Sequence, residues 1–264
     1  MKNVIILPCY NEADRLKFNQ FQSFINHNPS YQLCFVNDGS TDATLEQLLS
    51  FQATNSEQVT VLDLITNQGK AEAVRQGVLR MTQETEFQNI GFMDADLATG
   101  FEDYKRLVAE LNQEDKKMVV GSRKMSKCQG VKRSTFRCWA SKAVGLVINR
   151  LIAMPIKDTQ CGAKVFEKTT AINLFHSAFI SRWLFDVELF IRLSTLYGET
   201  AISRISEVAL KSWIEVEGSK LSLRDSLKFP TRLVEIGLAY RIKPRMNAIK
   251  EALRVSWSEL VPIK

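Results

Sequence analysis

The chain has 264 residues, 45% of them hydrophobic, which suffices for a substantial core in one domain with an appendage and argues against a disordered chain. Its 35 Lys and Arg exceed its 29 Asp and Glu, and the resulting charge of +6 suits nucleotides, phosphates or acidic lipid without choosing among them. Five cysteines without a CxxC pair and two distant histidines, His27 and His176, argue against a disulfide scaffold and a histidine-rich zinc site, and favour reduced thiols in the cytoplasm.

NVIILPCYNE at 3–12 reads as a buried strand stopped by Pro8, too short for a signal peptide. A helix is expected over about 14–26. YQLCFVNDGSTDATLEQLLSFQ at 31–52 repeats the design, with a strand, a Gly-Ser turn and a helix for which Thr41 or Asp42 is the expected N-cap. A third strand over 59–65 precedes a helix opened by NQGK, and NIGFMDADL is expected as a fourth strand before a helix at 101–113. This alternation predicts an α/β fold with a mainly parallel central sheet flanked by helices.

In such a sheet ligands gather outside the carboxyl ends of the strands, where CYNE, NDGSTD, NQGK and DAD all fall. If the fourth strand runs through FMDADLA, its period of two points Asp94 and Asp96 the same way and opposes their charges. A hard divalent cation, Mg2+ or Mn2+, would relieve that repulsion, whereas a simple turn or surface pair is the alternative. Asp38 can accept from a nucleobase or ribose, or it can cap a helix. Gly69 permits a close turn around a ligand, and Lys70 can approach phosphate or lie solvated. Neither GxGxxG after the first strand nor a Walker A sequence is present, so neither hydride transfer nor P-loop hydrolysis is supported.

After KMVVGSR at 117–123 the pattern changes. Residues 128–154 mix Lys132, Arg133, Arg137 and Lys142 with Phe136, Trp139 and a Val/Leu/Ile-rich stretch, which predicts amphipathic helices; Lys142 and Arg150 interrupt it too soon for a membrane span. QCGAKVFEK is expected to return to strand, and RWLFDVELFIRLSTLYG at 182–198 to form a helix. The last 24 residues hold six basic side chains and read as a solvated helical appendage, a partner-docking element or a membrane-facing patch. The basic residues lack a groove-reading arrangement, so a nucleic-acid partner is not expected.

Taken in order, ILPCYNE, FVNDGSTD, NQGKAEAV, MDADLAT, VVGSR, DTQCGAKVF, RWLFDVEL and EGSKL resemble the family 2 inverting glycosyltransferases of the nucleotide-sugar-binding GT-A fold. The arrangement is most similar to the polyprenyl- or dolichyl-phosphate glucosyltransferase branch, a relation of the dolichyl-phosphate mannose synthases. The resemblance covers about residues 3–240 and implies a GT-A domain over 1–240 with a nucleotide-sugar half (1–123), an acceptor half (124–240) and a basic helical tail (241–264).

By the same resemblance, Pro8, Tyr10 and Glu12 frame a nucleoside pocket, Asp38 recognises base or ribose, and Asn67, Gly69 and Lys70 line the neighbouring wall. Asp94 and Ala95 lie near sugar or ribose, and Asp96 is the principal contact to Mg2+ or Mn2+. Arg123 and Arg133 are expected at diphosphate or acceptor phosphate, or on the surface. Asp158, Gln160, Arg182, Trp183 and Lys220 shape the acceptor side or serve as structural hydrogen-bonding residues. Asp186 is the general base for a hydroxyl acceptor, whereas a lipid phosphate, already anionic, needs little such help.

The implied reaction moves a hexose, glucose first, from a UDP-sugar to a polyprenyl phosphate. A saccharide hydroxyl acceptor and a non-catalytic nucleotide-sugar-binding protein are the alternatives. Ala98 stands where mannosyl relatives often place a glutamine, which leans toward glucose, and EVAL at 207–210 departs mildly from the familiar EVPV. Relatives anchored in membranes carry transmembrane helices; this sequence predicts at most peripheral contact with the cytoplasmic face.

Overall fold

A computed structural model describes residues 2–84, 86–113, 115–123, 154–211, 213 and 231–240. Strands β1 (Asn3–Cys9), β2 (Tyr31–Asp38), β3 (Val59–Leu64) and β4 (Asn89–Phe92) alternate with helices α1 (Phe18–His27), α2 (Thr44–Thr54), α3 (Lys70–Glu84) and α4 (Phe101–Leu111). They are followed by β5 (Met118–Ser122), β6 (Lys164–Glu167), α5 (Lys168–Phe175), α6 (Phe185–Tyr197) and β7 (Ile205–Ala209). The strands form one sheet in the order β3-β2-β1-β4-β6-β5-β7. Four of its six pairings are parallel, and only β6 runs against its two neighbours.

Apolar runs buried on both faces explain why the inner strands take this place. Val4, Ile5, Ile6 and Leu7 of β1 have no exposed surface, as expected where helices cover both sides. On one face Phe21 of α1 meets Phe35 of β2 and Phe101 of α4 edge to face, and Phe24 stacks on Phe101 at 3.9 Å. On the other, Phe92 and Phe166 pack with Phe175 of α5 and Phe185 of α6. Each such ring contributes roughly 1.5–3 kcal/mol of burial, so the aromatic layers anchor the helices firmly to the sheet.

Several boundaries correct the sequence expectation. Pro8 does not stop β1; it lies within the strand, paired in register with Val36. The Met93 N–H donates to the Ile6 carbonyl, and β4 ends at Phe92, so the missing Pro8 donor faces the side where the ladder has already closed. Helix α1 starts at Phe18 because a turn, with Leu16 N–H donating to the Glu12 carbonyl, intervenes. The DAD segment is not strand: Leu97 N–H donates to the Asp94 carbonyl and Leu97 has φ +57°, a tight turn beyond β4. Strand β6 starts at Lys164, leaving QCGA as a turn, and Ala43 rather than Thr41 or Asp42 is the N-cap of α2. Asp42 nonetheless accepts from Thr44 N–H at 3.0 Å.

The chain divides into two compact units, Met1–Lys220 and Leu221–Lys264. In the second, residues 231–240 form a helix, α7, bearing an Arg232–Glu235 ion pair. Arg133, Lys220, all but the last residue of the amphipathic region expected at 128–154 and the basic tail at 241–264 lie outside the described residues. Among the described residues no helix is long and apolar enough to cross a membrane.

Candidate active site

Because β1 to β4 are parallel, their carboxyl ends share one edge, and antiparallel β6 brings its first residue, Lys164, to that same edge. Asp38, at the end of β2, is buried and ties down the 67–69 loop. Its carboxylate accepts from Gln68 N–H at 2.7 Å, Gly69 N–H at 2.8 Å and the Asn67 amide at 3.0 Å. Burial pushes its pKa up, and the two backbone donors oppose the shift. Gly39, at φ +64°, lets the β2 turn touch this loop; a Cβ there would lie 2.5 Å from Thr66 C and Asn67 N. Across the loop, Ala71 N–H donates to the Arg182 carbonyl at 3.2 Å, and a Cβ on Gly69 would meet the exposed Arg182 side chain at 2.9 Å. A cleft of about 320 Å³ opens beside this wall, lined by Gln68, Ala71, Glu72, Phe179, Ile180 and Arg182.

At the β1 end Tyr10 and Pro8 are half-buried, and the buried Glu12 accepts both guanidinium arms of Arg15. Beyond β4 the two aspartates take different partners. Asp94 accepts from the Lys70 ammonium at 2.5 Å, and Gly162 abuts its other oxygen so closely that a Cβ would sit 2.0 Å from Oδ2. Asp96 turns away to accept from Ala98 N–H at 2.9 Å; its second oxygen has no hydrogen bond among the described residues. Burial raises the Asp96 pKa and the Asp94 charge adds to the effect. For Lys70 burial works against the ammonium, but the charges of Asp94 and Asp186 prevail and raise its pKa. Ala95 is buried between the two acids.

The second half closes the edge with two further ion pairs. Arg123, following β5, donates Nε and Nη2 to Asp158 at 2.8 and 2.9 Å, and its own backbone N–H donates to the same carboxylate at 3.0 Å. Burial alone would raise the Asp158 pKa, yet the Arg123 hydrogen bonds and charge hold it below the ordinary value. Glu207 of β7 accepts from the backbone of Lys157 and Asp158, and the Arg123 guanidinium lies 5.6 Å from the Trp213 ring centre. Asp186, in the first turn of α6, accepts from Lys164 Nζ at 2.5 Å. Gln160 keeps a buried side-chain nitrogen without a hydrogen-bond partner among the described residues, a donor of the kind sites keep for a ligand. Trp183 is half-buried beside Arg182.

The structure therefore gathers Asp38, Asn67, Gly69, Lys70, Asp94, Asp96, Arg123, Asp158, Gln160 and Asp186 at one sheet edge. Residues 4–180 match the model of the family described as "Glycosyl transferase family 2". The chain belongs to that family. It is a glycosyltransferase with a GT-A-like arrangement of sheet and helices. It is 38% identical over 234 residues to the dolichyl-phosphate beta-glucosyltransferase of Drosophila melanogaster, covering 83% of this chain and 68% of the relative. The enzymes of that name from Saccharomyces cerevisiae and Homo sapiens are each 32% identical, over 89% and 82% of this chain and 74% and 68% of their own lengths.

Among solved structures, mannosyl-3-phosphoglycerate synthase from Rubrobacter xylanophilus superposes with a TM-score of 0.65 at 17% identity, over 94% of this chain and 75% of that one. Glucosyl-3-phosphoglycerate synthase from Mycobacterium tuberculosis, in complex with uridine-diphosphate, does so with a TM-score of 0.62 at 15% identity, over 89% and 80%. These two establish the fold of the glycosyltransferase. Sequence reasoning missed Lys164, Glu207 and Trp213 as parts of its site. Lys164 carried a signal, a lone cation in the otherwise apolar AKVF, and Glu207 opens the EVAL segment, whereas Trp213 carried none.

Proposed function

We propose that this glycosyltransferase moves glucose from UDP-glucose to a polyprenyl phosphate, inverting the anomeric configuration in a single in-line displacement. The agreement in name among relatives up to 38% identical over four-fifths of the chain carries this reading. Asp38 and the 67–69 loop form the wall for the nucleoside, Pro8, Tyr10 and Glu12 its floor, and Lys70 stands beside the diphosphate. Arg123, with Arg133 and Lys220 from outside the described residues, receives the acceptor phosphate. Arg182 and Trp183 border the acceptor side.

The fit to Mg2+ or Mn2+ rests on donor chemistry: Asp96 has a carboxylate oxygen without a hydrogen bond among the described residues, and the Asp94 side chain is partly exposed. No cluster of three or more His, Cys, Asp or Glu side chains suited to a metal occurs among the described residues, so phosphate and water would complete the coordination. Asp96 and Asp94 would hold the cation, and when bound it neutralises the diphosphate leaving group.

The state of Asp186 favours a phosphate acceptor over a hydroxyl. One of its oxygens is committed to a buried ammonium, which suits a carboxylate that helps to hold the acceptor pocket in place. A phosphate monoester attacks as an anion and leaves no proton to remove. The protein acts at the cytoplasmic face of a membrane through peripheral contact. Purified protein supplied with Mn2+ or Mg2+, UDP- and GDP-sugars and short prenyl phosphates is expected to release UDP fastest from UDP-glucose. Turnover confined to GDP-sugars would overturn the donor assignment.

A further inference from the structure

Lys164 has no exposed surface, yet it carries a charge to the carboxyl edge of the sheet, at the start of a strand that continues with Val165 and Phe166. Its ammonium donates to the Cys161 carbonyl at 2.6 Å and to Asp186 Oδ1 at 2.5 Å, and lies 5.5 Å from the centre of the Phe92 ring. The same ring has Lys70 at 6.0 Å, so one aromatic side chain borders two ammonium groups, each paired to an aspartate of the site. The Cys161 carbonyl belongs to the turn that brings Gly162 against Asp94 Oδ2. One buried ammonium thus ties the start of α6, which carries Asp186, to the turn that walls in Asp94.

We propose that Lys164 is a positioning residue of the transfer reaction, setting Asp186 and, through the 161–163 turn, Asp94 in fixed relation. The inference rests on the function proposed above. A buried cation held only for stability would need one counter-ion; Lys164 instead links two segments, each of which presents or confines a carboxylate of the site. Methionine at 164 keeps the length and loses the charge, freeing both the turn and the Asp186 side chain. Displacement of about 1 Å in such a constellation is enough to slow a reaction about a hundredfold.

The test compares wild type, Lys164→Met, Asp186→Asn and the double variant, with Mn2+, UDP-glucose and a short prenyl phosphate, each rate divided by the concentration of UDP-binding sites from calorimetry. Lys164→Met is expected to lower kcat about a hundredfold with unchanged UDP affinity, and the double variant to lose less than the product of the two single losses. A kcat per UDP-binding site equal to wild type, or losses that multiply in the double variant, would reduce Lys164 to a structural counter-ion. Should Lys164→Met fail to fold, the double variant, which lacks the uncompensated buried charge, is compared with Asp186→Asn: a further drop in kcat per UDP-binding site supports positioning through the 161–163 turn, and equal rates overturn it. UDP release is recorded alongside glycolipid formation. Wild-type protein that releases UDP without making glycolipid would sink the function reading, while the ratio of UDP-release rates still decides the role of Lys164.

Discussion

Asp94 and Asp96 stand two residues apart, but the turn between them sends one to Lys70 and leaves the other with an oxygen that takes no hydrogen bond among the described residues. Asp96→Asn is therefore expected to cost about a hundredfold or more in cation-dependent kcat with little change in circular dichroism; near-normal turnover would remove Asp96 from the metal. Asp158 does different work, since its buried carboxylate satisfies the side chain and backbone of Arg123 together. Asp158→Ala should cost about 3 kcal/mol in urea unfolding at pH 7, because it leaves the largely buried guanidinium without its partner. The Asp158 pKa is depressed in the folded protein, so its contribution is whole above the unfolded value of about 3.9 and is lost as pH falls through the folded one. The stability gap between wild type and Asp158→Ala should accordingly stay constant from pH 7 to about 5 and narrow below about 4.

At the scale of elements, close approaches between turns set the edge. Gly39→Ala would place a methyl 2.5 Å from backbone atoms of Thr66 and Asn67 in a left-handed conformation, and should destabilise the protein by about 2 kcal/mol or more in thermal unfolding. Gly162→Ala meets a side chain instead, the Asp94 carboxylate, and should lower kcat more than stability. The strands that place these turns were legible from their apolar runs, and the loops at their carboxyl ends from the α/β alternation. DAD was read as strand because FMDADL continues an apolar run; the local Leu97 to Asp94 turn that ends it has no signature in residue type. The antiparallel entry of β6 was equally hidden, since period and propensity carry no direction. Yet that reversal is what brings Lys164 to the carboxyl edge. Ion pairs such as Lys164 with Asp186 join residues 22 apart, beyond the reach of any helical or strand spacing.

For the whole molecule, one mixed sheet joins the parallel strands β1 to β4 to β5, β6 and β7, with the charged pairs at the edge they share. Under the proposed function a nucleotide sugar binds beside Asp38 and Lys70, and an anionic acceptor meets it from the side of Arg123. The central claim is the acceptor. The decisive measurement is product identity after incubation with UDP-glucose, Mn2+ and a mixture of polyprenyl phosphate and free saccharides, read by mass spectrometry and anomeric proton coupling. The account predicts a β-linked glucosyl phosphoryl lipid, and glucose found only on a saccharide hydroxyl would contradict it.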